Sequence, residues 1–193
     1  MKEEEKNHFF WDSCVFMRYL EGKVEAECYR DVEQHLEDVT NGKTVIYYSA
    51  FSLLEIRPSF LHGAGYGTFD DFAADHEGTF LPVEVTPDIL QWCGVVREIK
   101  YPNPNGGKDR VLTAGDAVQL MSAVWVREVA VPDLVFHTFD DGKGRNVESD
   151  KEPTVSLLQF EKFVEGIPTN PHTPRICAMP RSKPFHPSLK LDV

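Results

Sequence analysis

Residues 8–22 read HFFWDSCVFMRYLEG, and this stretch decides the fold. His8 to Trp11 is an aromatic run of strand character that ends at Asp12. From Ser13 to Glu21 the apolar residues Val15, Phe16, Tyr19 and Leu20 recur at helical spacing, and Gly22 supplies the stop. The first strand therefore delivers a carboxylate to the start of a helix.

The same alternation continues outward. A second helix is expected from about Val24 to Val39, and Asn41-Gly42 marks a turn before a β-branched and aromatic strand, Thr44 to Tyr48. Ser49 to Ile56 reads as a helix ended by Pro58. Residues 58–80 form a Gly-rich insert (Gly63, Gly65, Gly67, Gly78) with a short helical patch near Asp70 to Ala74. The glycines follow a helix at the wrong spacing for a dinucleotide fingerprint, so the insert is read as a flexible connector or lid. Leu81 to Val85 is a short extended segment. Thr86 to Ile99 is a helix opened by Thr86-Pro87, and Thr113 to Val129 is the clearest amphipathic helix. Leu134 to Thr138 is a strand, followed by a polar loop to Lys151, and Val155 to Phe163 is a strand or a helix. Strands alternating with helices imply an α/β sandwich with a largely parallel central sheet.

At 193 residues the chain fits one domain with extensions. The reading divides it into a charged leader (1–7), a core domain (8–166) and a tail (167–193). Six prolines in the tail argue against regular structure there. The tail carries four cations against Asp192 alone, a net +3 that leaves −14 for residues 1–166. The composition, 41% hydrophobic and 26% charged, is that of a folded globular chain. No apolar run is long enough to span a bilayer and no signal-type leader is present, so no membrane partner and a cytoplasmic location are expected. The four cysteines lack metal-ligand spacing and are read as reduced thiols, with Cys14 and Cys93 as small buried hydrophobes. The net charge of −11 opposes non-specific nucleic-acid binding, although a carboxylate site carries its own negative charge until metal binds.

Four acids have both ordinary and functional readings. Asp12 is placed to cap the helix after it, Glu55 completes a Ser52-x-x-Glu55 capping box, and Asp116 stands third after Thr113 in another. Asp140 and Asp141 with Gly142 have a common turn composition. Yet Asp12 and Asp140 end parallel strands at the edge where open α/β sheets place their sites, and Glu55 and Asp116 lie on helices able to bring them there.

The segments FWDSCVFMRYLEG, YYSAFSLLEI, TAGDAVQLMSAV and LVFHTFDDG, in this order, resemble the successive motifs of PIN domains, VapC-like ribonucleases among them. The resemblance covers roughly Phe9 to Phe163. It implies a three-layer α/β/α sandwich and a catalytic and metal-binding set of Asp12, Glu55, Asp116 and Asp140, with Asp141 assisting or replacing Asp140. Ser13 and Thr138 fall on supporting hydroxyl positions. Carboxylate ligands suit the hard cations Mg²⁺ or Mn²⁺, which similar proteins use to activate water against an RNA phosphodiester, leaving a 3′-hydroxyl and a 5′-phosphate. Candidate phosphate contacts are Arg18, Arg57, Lys143 and Arg145. The implied partners are single-stranded or structured RNA, a cognate antitoxin and a second copy in a homodimer. The Gly-rich insert, the Pro-rich tail and the acidic surface depart from the compact VapC-like pattern.

His62 and His137 are read as surface or packing residues, because metal-activated water needs no histidine base. Two other functions compete: a PIN-fold scaffold without catalysis, and a phosphotransferase of the haloacid dehalogenase type. The latter needs a second Asp two positions after Asp12, where this chain has Cys14.

Overall fold

The computed structural model describes residues 6–76, 78–142, 153–167 and 170–190. Strand β1 (Asn7–Trp11) lies at the centre of a five-stranded sheet and pairs with β2 (Thr44–Ser49) on one side and β4 (Val135–His137) on the other. Beyond them lie β3 (Thr79–Val83) and β5 (Arg181–Ser182), giving the order β3-β2-β1-β4-β5 with every pair parallel.

Helices cover both faces, because alternate side chains along a strand point to opposite sides. Phe10 and Phe136 face a core built with α6 (Pro87–Arg97), α7 (Ala114–Val129), α8 (Glu161–Val164) and α9 (Thr173–Ala178). Trp11, Ile46 and Tyr48 face a second core built with α1 (Ser13–Leu20), α2 (Tyr29–Thr40), α4 (Pro58–Gly63) and α5 (Phe69–Asp75). The expected three-layer α/β sandwich is therefore present, with the aromatic run of β1 feeding both cores.

Local chemistry sets the helix starts. The Thr86 and Thr113 hydroxyls accept the N–H of Ile89 and Asp116 to open α6 and α7. The second helix starts later than expected, at Tyr29 instead of Val24: Val24 is exposed, and Cys28 adopts a left-handed φ of 58° that a helix interior excludes. The helix expected over residues 49–56 shrinks to α3 (Ser52–Glu55), since Ser49 belongs to β2. Residues 155–163 are mainly irregular chain, anchored by buried Val155, Leu157 and Phe160 ahead of α8.

The Gly-rich insert is not a flexible connector. It forms α4 and α5, with a full capping box between Thr68 and Asp71. Phe69 and Phe72 are buried against Phe16, at ring-centre distances of 5.3 and 6.1 Å. Gly78 closes the insert where a Cβ would stand 2.1 Å from Val39 Cγ1, so that close approach requires glycine.

The described part of the Pro-rich tail, residues 170–190, is ordered too. Pro174 sits in the first turn of α9, where a missing N–H costs nothing. The Pro180 carbonyl accepts the Phe136 N–H at 2.9 Å as the chain enters β5. Ile176 and Met179 are buried in the first core. Farther on, His186 reaches Asp38 of α2 at 2.9 Å, and its N–H donates to Asp31 at 2.7 Å. Proline removes one donor per residue; carbonyls, side chains and the remaining N–H groups suffice to fasten this segment. Among the described residues, no helix is long and apolar enough to cross a membrane.

Candidate functional site

The strand order reverses at β1: the chain moves outward through β2 and β3, then returns to β4 on the other side. Such a switch point leaves a crevice at the carboxyl ends of the two strands. Asp12 follows the last residue of β1 and Thr138 the last residue of β4, so both stand at this crevice.

Asp12 is 6% exposed, and although it is the N-cap residue of α1 its carboxylate makes no capping bond. It is held from the side instead. The Thr138 hydroxyl donates to Oδ2 at 2.7 Å, the Cys14 thiol donates to Oδ2 at 3.1 Å, and the Ser13 hydroxyl lies 3.3 Å from Oδ1. Thr138 Oγ1 also accepts the Asp140 N–H at 3.1 Å, so one hydroxyl ties the two acids together. Cys14 is thus a polar member of the site and not a plain buried hydrophobe, and it accepts the Phe139 N–H at 3.2 Å. Cys93, by contrast, is buried in the apolar core as expected.

Glu55 is not part of a capping box: α3 has no side-chain cap, and the Ser52 hydroxyl is engaged elsewhere. Gln119 Nε2 lies 2.8 Å from Glu55 Oε2 and 2.9 Å from Ser52 Oγ, clamping the glutamate against α7. Gly115 lets α7 come this close, since a Cβ there would stand 2.8 Å from Glu55 Oε1. Gln119 is fully buried three residues after Asp116, on the same face of α7. A lone amide inside the apolar stripe of α7 was the available signal for it.

Asp116 accepts the Thr113 hydroxyl at 2.6 Å while Thr113 accepts the Asp116 N–H, so this acid stands at a helix start, within the fields of Asp12, Asp140 and Glu55. Asp140 is bound by backbone: the Gly142 N–H donates to Oδ1 at 2.9 Å and the Leu157 N–H to Oδ2 at 3.2 Å. Its turn reading holds together with its place at the crevice. Asp141 is half-buried beside it and its field raises the pKa of Asp140.

Electrostatics join the four acids. Burial raises the pKa of Asp12 against its hydrogen bonds from Thr138 and Cys14, and the fields of Glu55 and Asp140 raise it further. Burial raises Asp140 as well, opposed by its two backbone donors. Asp116 is pushed up to about 6, first by burial and then by Asp12, Asp140 and Glu55, against its bond from Thr113. None of the four forms a salt bridge among the described residues.

A carboxyl whose folded pKa is raised stabilises the fold below its unfolded value and loses that contribution as pH rises through the folded value. For Asp116 the window runs from about 4 to about 6. In EDTA, the melting temperature of the protein is therefore expected to fall between about pH 4 and about pH 6 by more than that of Asp116→Asn. At pH 7 the variant should melt higher, by about 2–4 °C for each kcal/mol of relief. A variant that melts lower at pH 7 would make Asp116 a helix cap and nothing more.

Arg18 and Arg57 border a cleft of about 690 Å³ that also takes in Ser13, Cys14, Glu55 and Asp140. Lys143 and Arg145 lie outside the described residues. His62 is exposed on α4. His137 is buried and stacked on Phe9 at 4.4 Å, with burial holding its pKa far below the usual histidine range, in keeping with a packing role.

The donor set suits a hard cation in kind, being all carboxylate oxygen. In spacing it is open: among the described residues, no three His, Cys, Asp or Glu side chains stand together as one coordination group. Mg²⁺ keeps several waters and needs only one or two protein carboxylates, so the fit rests on the chemistry of the donor set and not on a ready-made coordination group. Comparison with protein-family models, with curated proteins and with solved structures finds no match for the chain.

Proposed function

We propose that the chain is a metal-dependent ribonuclease of the PIN-domain type, hydrolysing RNA phosphodiesters at the crevice between β1 and β4. One observation carries this reading. Acids from four separate elements stand about the topological switch point, where Glu55 and Asp140 raise the pKa of Asp12 and Asp12, Asp140 and Glu55 raise that of Asp116, and no side-chain cation forms a salt bridge with the four among the described residues. Unneutralised charge concentrated at a crevice costs stability, and a site that binds cations accounts for it.

Asp12, Glu55, Asp116 and Asp140 are the residues that would hold Mg²⁺ or Mn²⁺, with Asp141 assisting or replacing Asp140. The bound ion would lower the pKa of a water and neutralise charge developing on the phosphate. The chain's own groups do the positioning. Thr138 fixes Asp12 by its hydroxyl and Asp140 by that residue's N–H, and Gln119 fixes Glu55. Arg18 and Arg57 orient the phosphodiester from the cleft wall. On the same reading a cognate antitoxin would act by occupying this cleft, and a homodimer would extend the RNA-binding surface.

A second reading, a PIN-fold scaffold that binds without catalysis, is favoured by the absence of a three-ligand group among the described residues and by the backbone bonds on both oxygens of Asp140. The purified chain, incubated with single-stranded RNA, should cleave it in Mn²⁺ or Mg²⁺ and stop on addition of EDTA. Intact RNA in both metals would overturn the nuclease reading in favour of the scaffold.

A further inference from the structure

Arg110 is a half-buried cation whose hydrogen bonds go to backbone. It forms no salt bridge among the described residues, and its guanidinium lies 5.3 Å from the centre of the Phe163 ring. Its own main chain is locked. The N–H and C=O of Arg110 exchange bonds with Tyr101 at 2.8 and 3.0 Å, and the buried Tyr101 donates its hydroxyl to the Val96 carbonyl of α6 at 2.7 Å. From this anchor one guanidinium nitrogen, Nη1, donates to the Thr154 carbonyl at 2.7 Å and to the Gly142 carbonyl at 3.4 Å.

Those two carbonyls belong to the two segments that grip Asp140. On one side the Gly142 N–H donates to Oδ1, and on the other the Leu157 N–H donates to Oδ2. The Asp140 carbonyl takes the Ser156 hydroxyl and the Leu158 N–H, each at 3.0 Å. The segments also touch directly, since a Cβ on Gly142 would stand 2.8 Å from Ser156 Cβ. Arg110 is therefore a side chain that ties both sides of the grip together. Each oxygen of an ionised carboxylate has two acceptor positions, so an Asp140 held this way keeps one on each oxygen for a cation. Burial raises the pKa of Asp140, its two backbone donors lower it, and the field of Arg110 adds a smaller lowering. Geometry is the larger part of what Arg110 offers: its N–H groups hold the carbonyls beside Asp140 and leave the carboxylate itself to the amides.

We propose that Arg110 is a positioning residue of the candidate site, fixing the Asp140 carboxylate at the crevice by tying Gly142 to Thr154. This rests on the metal-dependent reading of the site and adds to it a group that touches neither ion nor RNA. Residues that orient metal-binding side chains matter nearly as much as the ligands themselves.

Arg110→Met keeps an apolar stem over Phe163 and removes both the donors and the charge. In the metal-free, full-length protein, amide hydrogen exchange at Gly142 and Leu157 is expected to speed up about tenfold or more, while the Asp116 amide, held by Thr113, keeps its rate. Mn²⁺ binding, followed by the electron paramagnetic resonance signal of the free ion, should weaken about tenfold. Charge alone predicts the opposite sign, because removing a nearby cation would tighten the hold on Mn²⁺. In an Asp140→Asn background, Arg110→Met should change the Mn²⁺ affinity no further. Unchanged or tighter Mn²⁺ binding overturns the proposal, as does unchanged exchange at Gly142 and Leu157, or a loss of affinity that persists in full beside Asp140→Asn. If Arg110→Met does not melt cooperatively, Arg110→Gln, whose shorter side chain cannot span both carbonyls, is held to the same outcomes. An unaltered protein that binds no Mn²⁺ would sink the metal-dependent reading, and exchange at Gly142 and Leu157 would still test the grip. Mn²⁺ binding by the unaltered protein that Arg110→Met leaves intact would do the reverse.

Discussion

Asp12→Asn is expected to lower the rate of metal-dependent RNA cleavage by about a hundredfold or more while leaving the fold intact. The amide preserves the shape of the side chain, and its oxygen can still accept the 2.7 Å bond from Thr138. What disappears is a negative charge at the switch point, and losses of one electrostatic contact to a reacting group fall on the scale of about 10² to 10³ in rate. Stability should move the other way. Asp12 is nearly fully buried, and burial followed by the fields of Glu55 and Asp140 disfavours its charged form, so removing that charge relieves repulsion in the metal-free protein. Mn²⁺ should stabilise the unaltered protein by about 2.7 kcal/mol at a hundredfold excess over its Kd, and the variant by much less. Activity that persists in a folded Asp12→Asn protein, with an undiminished thermal response to Mn²⁺, would place any metal elsewhere.

Ending the chain at Gly166 should abolish cooperative melting. The truncation removes Ile176 and Met179 from the first core, each worth about 1.5–3 kcal/mol of burial. It also removes β5 from the outer edge of β4 and Arg181, whose side chain is 1% exposed, pairs with Glu161 and passes over Phe160. The contacts of His186 with Asp38 and of Lys183 with Glu27 go with them. Against a typical net stability of about 5–15 kcal/mol, these losses together are enough to unfold a domain. A sharp transition within a few degrees of the full chain, followed by circular dichroism, would show that the tail is an accessory.

The parts of the fold legible in the sequence are those whose signal is periodic and local. β1 and α1 follow from aromatic spacing around Asp12, α6 from Thr86-Pro87, and α7 from its apolar stripe. The insert and the tail depart from what their glycines and prolines suggest for one reason: glycine and proline report backbone preference, whereas Phe69, Phe72, Ile176 and Met179 report what the backbone is fastened to. Here the fastening wins. At the site, the placement of Asp12 and Thr138 could be read from strand ends. The Gln119–Glu55 clamp could not, because it depends on how closely α7 approaches α3 at Gly115. The sequence neighbours of Cys14 are apolar and suggest a buried hydrophobe, but its partners Asp12 and Thr138 are polar, one of them 124 residues away.

The position of β5 also bears on how the protein is made. Translation delivers β1 to β4 well before residues 181–182, so a growing chain holds four parallel strands with the outer side of β4 bare. Unpaired backbone along such an edge recruits other strands. Until its last strand emerges, each nascent molecule presents a surface for which its neighbours on a polysome compete, and slow translation or early termination between Gly142 and Arg181 should favour aggregates over folded protein.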